Sequence, residues 1–436
     1  MPLPSTDFLN LCIHMYFTKF HPSFPIVHAP TFRPSSKSSL LLLSICSIGS
    51  LFVGSSHAAS QGLKIFETLN KAILASWEKD FSKEGSETIA MIQAALIGQT
   101  FGLLSEAKRS AHCADIPWHS HCGRLLAGIH VHDVEISELF LTDPYLRHSR
   151  TKLPLLSDDD LWAATTVEDW DQMVTSRLKD SNLHESNPRS PGTSVNPVPS
   201  LSTSPSHGFR SYIDLERLAT LATEAKVLHD STEQKSLEGA LMTFHDSYIG
   251  VNRGQTSDPY CLPVLWHSIF ISLYVNTNRL ELVIGKEGFT EAQNHVAYAR
   301  SWASSPDGQR CALHAALILR ELQQKNLGTE PPMHVPRIIF RATLVWFCYT
   351  NFGSDTASSH QSAEFPELQQ IGVNARMLLF EANGFKPYGP TTSESSIFCG
   401  LVDILPRVGH WGISQLFGLI VNLLLPGVKD NERYAG

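Results

Sequence analysis

The chain has 436 residues, 42% of them hydrophobic and 17% charged, with a formal net charge of −8 at pH 7. This length exceeds what a single core usually supports, so one large unit or two intimate ones are expected. An acidic chain whose nearest approach to a basic run is "EAKR" at 106–109 lacks the concentrated positive surface needed to grip a phosphate backbone by itself.

In chain order, Ser5 and Thr6 are placed to cap a helix running to about Phe20, apolar on most faces and therefore buried. His21 precedes Pro22, and the residue before a proline is pushed out of the α region, so this helix stops there. The next stretch, "FHPSFPIVHAPTFR" at 20–33, carries three prolines, His21 and His28. Its prolines fix the path, which predicts a stiff structural connector pinned by Phe24, Ile26, Val27 and Phe32. A helix restarts over 38–53, where Ser44, Ser47 and Gly49 are small enough for close helix approach. Helical periodicity continues over 61–77 on Ile65, Leu69, Ile73 and Trp77, then over 88–104 and 124–140.

"SDDDLW" and "TTVEDW" both read as helix starts, with Ser157 and Asp160, and Thr166 and Asp169, at capping-box spacing. The run Asp158, Asp159, Asp160 is expected to serve capping and the helix dipole rather than a hard cation. Residues 183–210 are rich in Pro, Ser, Asn and Gly and read as a disordered linker. Helices are then expected at 213–228, 262–282, 291–302, 309–324, 336–349, 367–382 and 397–425. Alternating strand pattern is almost absent. The expected fold is all-α, with an N-terminal half at 5–182, the linker at 183–210, and a C-terminal half at 211–428. Trp162, Trp170, Trp266, Trp302 and Trp346 are expected as core anchors.

The eight cysteines include no pair at CxxC spacing and sit mostly among apolar residues, as reduced buried thiols do. The apolar runs 40–53 and 416–425 are shorter than the roughly 20 residues a bilayer requires. No GxSxG elbow, GxGxxG, Walker loop or HExxH is present. The densest set of metal-ligating residue types is "HCADIPWHSHC", with His112, Cys113, His119, His121 and Cys122, and with His130 and His132 as further partners. Its spacing matches no finger or ribbon, which favours a polar loop. His267 and His314 lie on apolar stretches and are expected as satisfied core histidines.

Several stretches together resemble the fungal-specific transcription factor regulatory domain, or middle homology region, of the kind found downstream of Cys2His2 zinc fingers. They are 16–32 with 40–54, then 129–170, then 262–288 and 299–322. The resemblance implies an all-α, non-enzymatic regulatory module of a nuclear protein, with no catalytic, cofactor-binding or metal-ligating residue assigned. It implies contacts with the transcriptional machinery or a DNA-binding partner protein, and is compatible with a small-molecule inducer and a homodimer. It also implies control of a secondary-metabolite gene cluster or of nutrient-use genes. DNA would be reached only through a zinc-finger region, and neither a six-cysteine cluster nor a Cys2His2 finger occurs in these residues. The rival expectations are a zinc- or His-dependent hydrolase using residues 112–133, from His112 to Asp133, and a membrane anchor at 416–425.

Overall fold

The structure is a computed structural model that describes residues 4–35, 38–81, 86–105, 123–146, 156, 158–184, 208–228, 231–251, 258–325, 330–353, 365–378, 392–408 and 411–424. Among the described residues all regular structure is helical and there is no strand.

The N-terminal helix α1 (Thr6–Met15) starts where Ser5 Oγ accepts the Phe8 amide at 3.3 Å. It runs on through one π-helical turn (Tyr16–Phe20) and ends at His21; this residue stays in the α region, contrary to the expectation, and the stop comes from Pro22 having no amide to continue the ladder. Helix α2 (Ser39–Leu51) crosses α1 at very short range, because a Cβ at Gly49 would lie 1.9 Å from the Cys12 carbonyl oxygen. The small residues of α2 also hold a later helix: Ser44 Oγ donates to the Ala94 carbonyl at 2.8 Å. Gly49→Ala should therefore cost at least the upper end of the roughly 1–3 kcal/mol typical of overpacking. Urea unfolding measures this, and a loss under about 0.5 kcal/mol would mean that α1 and α2 do not meet at this point.

Helices α3 (Ser56–Phe81) and α4 (Ser86–Leu104) complete the N-terminal layer. Residues Glu87–Leu104 are long and apolar enough to cross a membrane, a feature absent from the sequence expectations. Here they pack on α2 and α3 and send Met91, Ala94, Leu96, Ile97 and Phe101 into the core. The connector at 20–33 is architectural, with Phe24, Ile26 and Val27 buried and Phe32 partly so. His21 Nε2 donates to the Val27 carbonyl at 2.7 Å, and Gln93 Nε2 donates to the Ile26 carbonyl at 2.7 Å. His28 Nδ1 is hydrogen-bonded to Thr31 Oγ1 at 2.7 Å, with its ring edge-on to Trp162.

Helix α5 (Gly123–Phe140) follows, then the short α6 (Asp159–Trp162) and α7 (Val167–His184). The N-cap of α6 is Asp158 rather than Ser157, which lies outside the described residues along with 185–207 of the linker expected at 183–210. Helix occupies both ends of the expected 183–210 linker, since α7 reaches His184 and α8 (Phe209–Leu228) begins at Phe209. At α7 the Thr166–Asp169 pair forms as anticipated: Thr166 Oγ1 accepts the Asp169 amide at 3.1 Å.

Four further corrections concern where helices break. Helix α9 (Ser231–Phe244), continued by a π turn (His245–Ile249), was not anticipated. The single helix expected over 262–282 is two, α10 (Leu262–Tyr274) and α11 (Thr277–Val283). Val275 is extended there, and Asn276 caps the second helix by accepting the Arg279 amide. Helices α12 (Phe289–Ala303), α13 (Pro306–Gln323) and α14 (Val335–Phe352) match expectation. The helix expected over 367–382 is interrupted after α15 (Pro366–Gln370), where Gly372 takes a φ of +74°, and helix resumes at 375–378. The one expected over 397–425 divides at Pro406 into α16 (Thr392–Ile404) and α17 (Gly412–Asn422).

Both expected halves share one core. A continuous apolar cluster runs from Tyr16 to Val421, and Trp411, just ahead of α17, meets Phe20 and Phe52 edge-on. Trp266, Trp302 and Trp346 anchor this core, whereas Trp162 is half-buried and Trp170 lies exposed on α7. Cys12, Cys46, Cys261, Cys311 and Cys348 are buried, and Cys399 is exposed.

Candidate functional site

The helices of one amphipathic bundle need only apolar contacts to pack, so a cluster of charges at their meeting point calls for a specific explanation. Such a cluster lies where α5, α8 and α14 converge. Glu135 and Glu138 are three residues apart on α5 and share one face. Arg337 and Arg341, four apart on α14, do the same. Arg337 grips Glu135 with two bonds, Nη2 to Oε1 at 2.8 Å and Nε to Oε2 at 3.2 Å, and reaches Glu138 Oε2 with Nη1 at 3.3 Å. Arg341 donates to the Glu138 carboxylate and to its backbone carbonyl, and Thr223 Oγ1 of α8 donates to Glu138 Oε1 at 3.0 Å. Burial by itself would raise the Glu138 carboxyl, but the two guanidiniums hold it down to about 2.

The remaining wall comes from α8 and the start of α14. Glu216 is fully buried, no hydrogen bond of good geometry reaches either carboxylate oxygen, and its nearest neutral donor is the Tyr212 hydroxyl. His334, at the N-cap of α14, places Nδ1 3.1 Å from the Tyr212 hydroxyl and 3.9 Å from Glu216 Oε1. Burial, reinforced by Arg337 and Lys325, pushes this imidazole well below its ordinary range and keeps it neutral. Donor atoms of Glu135, Glu216 and His334 all lie within 4.8 Å of one another, a set of the size and chemistry that holds a metal ion. The position beside Glu135 is, however, already taken by the Arg337 guanidinium.

Two satellites flank this junction. Asp159 pairs with the buried Arg124 of α5 and accepts the Phe209 amide at 2.9 Å, so it ties α5 to the start of α8. The Arg124 guanidinium lies over Trp162 and Phe209 at 4.9 and 5.4 Å. The acidic run thus does more than cap a helix. On the far side, His267 of α10 and His314 of α13 are hydrogen-bonded through their Nδ1 atoms at 2.8 Å. His314 Nε2 lies 3.6 Å from Glu367, which Arg310 also pairs at 3.1 Å. Burial depresses both imidazoles below their ordinary range.

Of the residues weighed from sequence as metal ligands, His112, Cys113, His119, His121 and Cys122 lie outside the described residues. His130 and His132 are buried on α5, and burial lowers the His132 ring to about 4 despite its bond to the Gln99 backbone. Asp133 accepts the Tyr145 and Leu146 amides at 3.1 and 2.8 Å. The Glu135–Arg337 junction was missed in the sequence. Its signals were like charges at helical spacing inside apolar segments, Glu135 with Glu138 and Arg337 with Arg341, although their pairing spans some 200 residues.

Comparison with known proteins gives a family match in the N-terminal layer. Residues 13–127 match the model of the fungal specific transcription factor domain. A "Transcription factor" of Gibberella fujikuroi is 30% identical over 112 residues, covering 26% of this chain and 14% of that protein. "Zinc finger protein klf1" of Schizosaccharomyces pombe is 25% identical over 206 residues, covering 38% of this chain and 26% of that protein. The chain therefore corresponds to a minor part of either relative's length. No solved structure matches. Of the stretches that carry the resemblance, 16–32 and 40–54 lie within the matched residues, and the later ones lie beyond them. From the second half of α1 to the first turn of α5, this chain is similar to the fungal specific transcription factor domain.

Proposed function

We propose that the chain is a non-enzymatic regulatory module of a fungal transcription regulator, acting in the nucleus. The observation that carries this reading is the family match over residues 13–127. The all-α fold and the net charge of −8 agree with a module that works through protein contacts. Contact with DNA would run through a zinc-finger region that is not among these residues, a reading supported by the Schizosaccharomyces pombe relative being named a zinc finger protein. Its partners would be the transcriptional machinery or a DNA-binding protein, with a small-molecule inducer or a second copy of the chain as modulators. Its targets would be a biosynthetic gene cluster or nutrient-use genes.

The test is tethering. Fused to a heterologous DNA-binding domain, the chain should change the output of a reporter several-fold, while the unfused chain shows no measurable affinity for duplex DNA. An unchanged reporter, together with unchanged transcripts after deletion of the gene, would overturn the proposal.

A further inference from the structure

The junction of α5, α8 and α14 does not balance its charges if every group is ionised. Three carboxylates, Glu135, Glu138 and Glu216, face only two guanidiniums, Arg337 and Arg341. Arg337 and Arg341 are both engaged by Glu135 and Glu138. Each other titratable group facing Glu216 is uncharged or already paired. Tyr212, one turn away on α8, is a buried phenol whose ionisation burial and Glu216 oppose; its hydroxyl is a neutral donor toward Glu216 that carries no balancing charge, and His334 is neutral. Tyr260 stacks on Tyr212 and is likewise held protonated by burial. Lys325, from the far end of α13, is paired with Asp258 and Cys261.

A lone buried carboxylate is too costly to persist, so something of charge +1 must reside there. A divalent cation would leave an excess positive charge in the core beside two guanidiniums, and the Arg337 fork already occupies the Glu135 oxygens. A single proton makes the network neutral without displacing any group.

We propose that Glu216 is a buried proton-binding site, its carboxyl kept in the neutral acid form at neutral pH by the junction of α5, α8 and α14. The proton is retained by burial and by the facing Glu135 charge, both of which raise the Glu216 carboxyl well above its ordinary range. Carboxylic acids held neutral in this way occur in other apolar sites. Because α5 continues from the family-matched segment and α8 and α14 lie beyond it, the proton couples the two parts of the chain. When the group ionises, an unmatched charge appears at their junction.

The sign follows from linkage. The unfolded chain releases this proton in the ordinary carboxylate range, while the folded chain keeps it. Folding is therefore favoured fully at low pH by this group, and that advantage is lost as pH rises, by up to tenfold in the unfolding constant per pH unit. Two measurements on the full chain test the proposal. The infrared carbonyl band of a protonated carboxyl should be present at neutral pH, shift on deuteration and vanish in Glu216→Gln. Glu216→Gln should also gain stability over the wild type steadily as pH is raised from mildly acidic to alkaline. If Glu216→Gln fails to fold, the band in the wild type still decides. Absence of the band, or stoichiometric zinc in the purified protein with loss of that metal in His334→Ala, overturns the proposal in favour of an ionised site or a metal site.

Discussion

Replacing Arg337 by methionine is expected to destabilise the chain by about 3–5 kcal/mol, because it leaves Glu135 buried opposite nothing. The methionine keeps the apolar stem, so the loss reports charge more than packing. The asymmetry of the network sharpens the test. Glu135→Gln should cost distinctly less, because Arg337 retains Glu138 and the repulsion on Glu216 is relieved. Adding Glu135→Leu to Arg337→Met should recover much of the loss, since apolar replacement of a whole buried pair is often neutral. Denaturant unfolding of the four proteins measures all of this. Equal losses for Arg337→Met and Glu135→Gln would mean that the pair is solvated and that the junction is not a closed ionic network.

A second large effect is expected on acidification. His132, His267, His314 and His334 are buried in neutral form, with burial depressing each ring below the ordinary imidazole range. A depressed imidazole contributes nothing above that range, where both folded and unfolded chains are neutral. Below it the unfolded chain takes up protons that the folded chain refuses. Stability is therefore lost as pH falls below about 6.5. Glu216 offsets one of the four protons, leaving a slope of about 4 kcal/mol per pH unit at its steepest, comparable to the whole stability of many domains. Unfolding followed from about pH 7 to about pH 5 should show this collapse with net uptake of protons. A flat profile over that window would place these imidazoles in contact with water.

Much of the architecture was written in local pattern. The helix stop at His21 needs only Pro22, and the Ser5 and Thr166 caps need only a hydroxyl ahead of an apolar period. The errors have local causes too. Asn276 and Gly372 break helices through one side-chain acceptor and one positive φ, signals that a long apolar run concealed. Trp170 was expected in the core because it recurs with the other tryptophans within helical segments, yet α7 is polar around it and leaves it exposed. The junction of Glu135, Glu216 and Arg337 was illegible for a different reason. Each of its residues is an unremarkable charge on its own helix, and only tertiary pairing across some 80 to 200 positions gives them a common site.

The edge contacts of Trp411 with Phe20 and Phe52 bear on how deletion mapping would read in this chain. A truncation ending before Trp411 removes the lid over the first helices, so shortening the C-terminal end should unseat the segment that carries the family match. Loss of activity in such a series would then reflect the far end of the chain. Point substitutions on exposed positions, which leave this closure intact, are the sounder way to locate where partners bind.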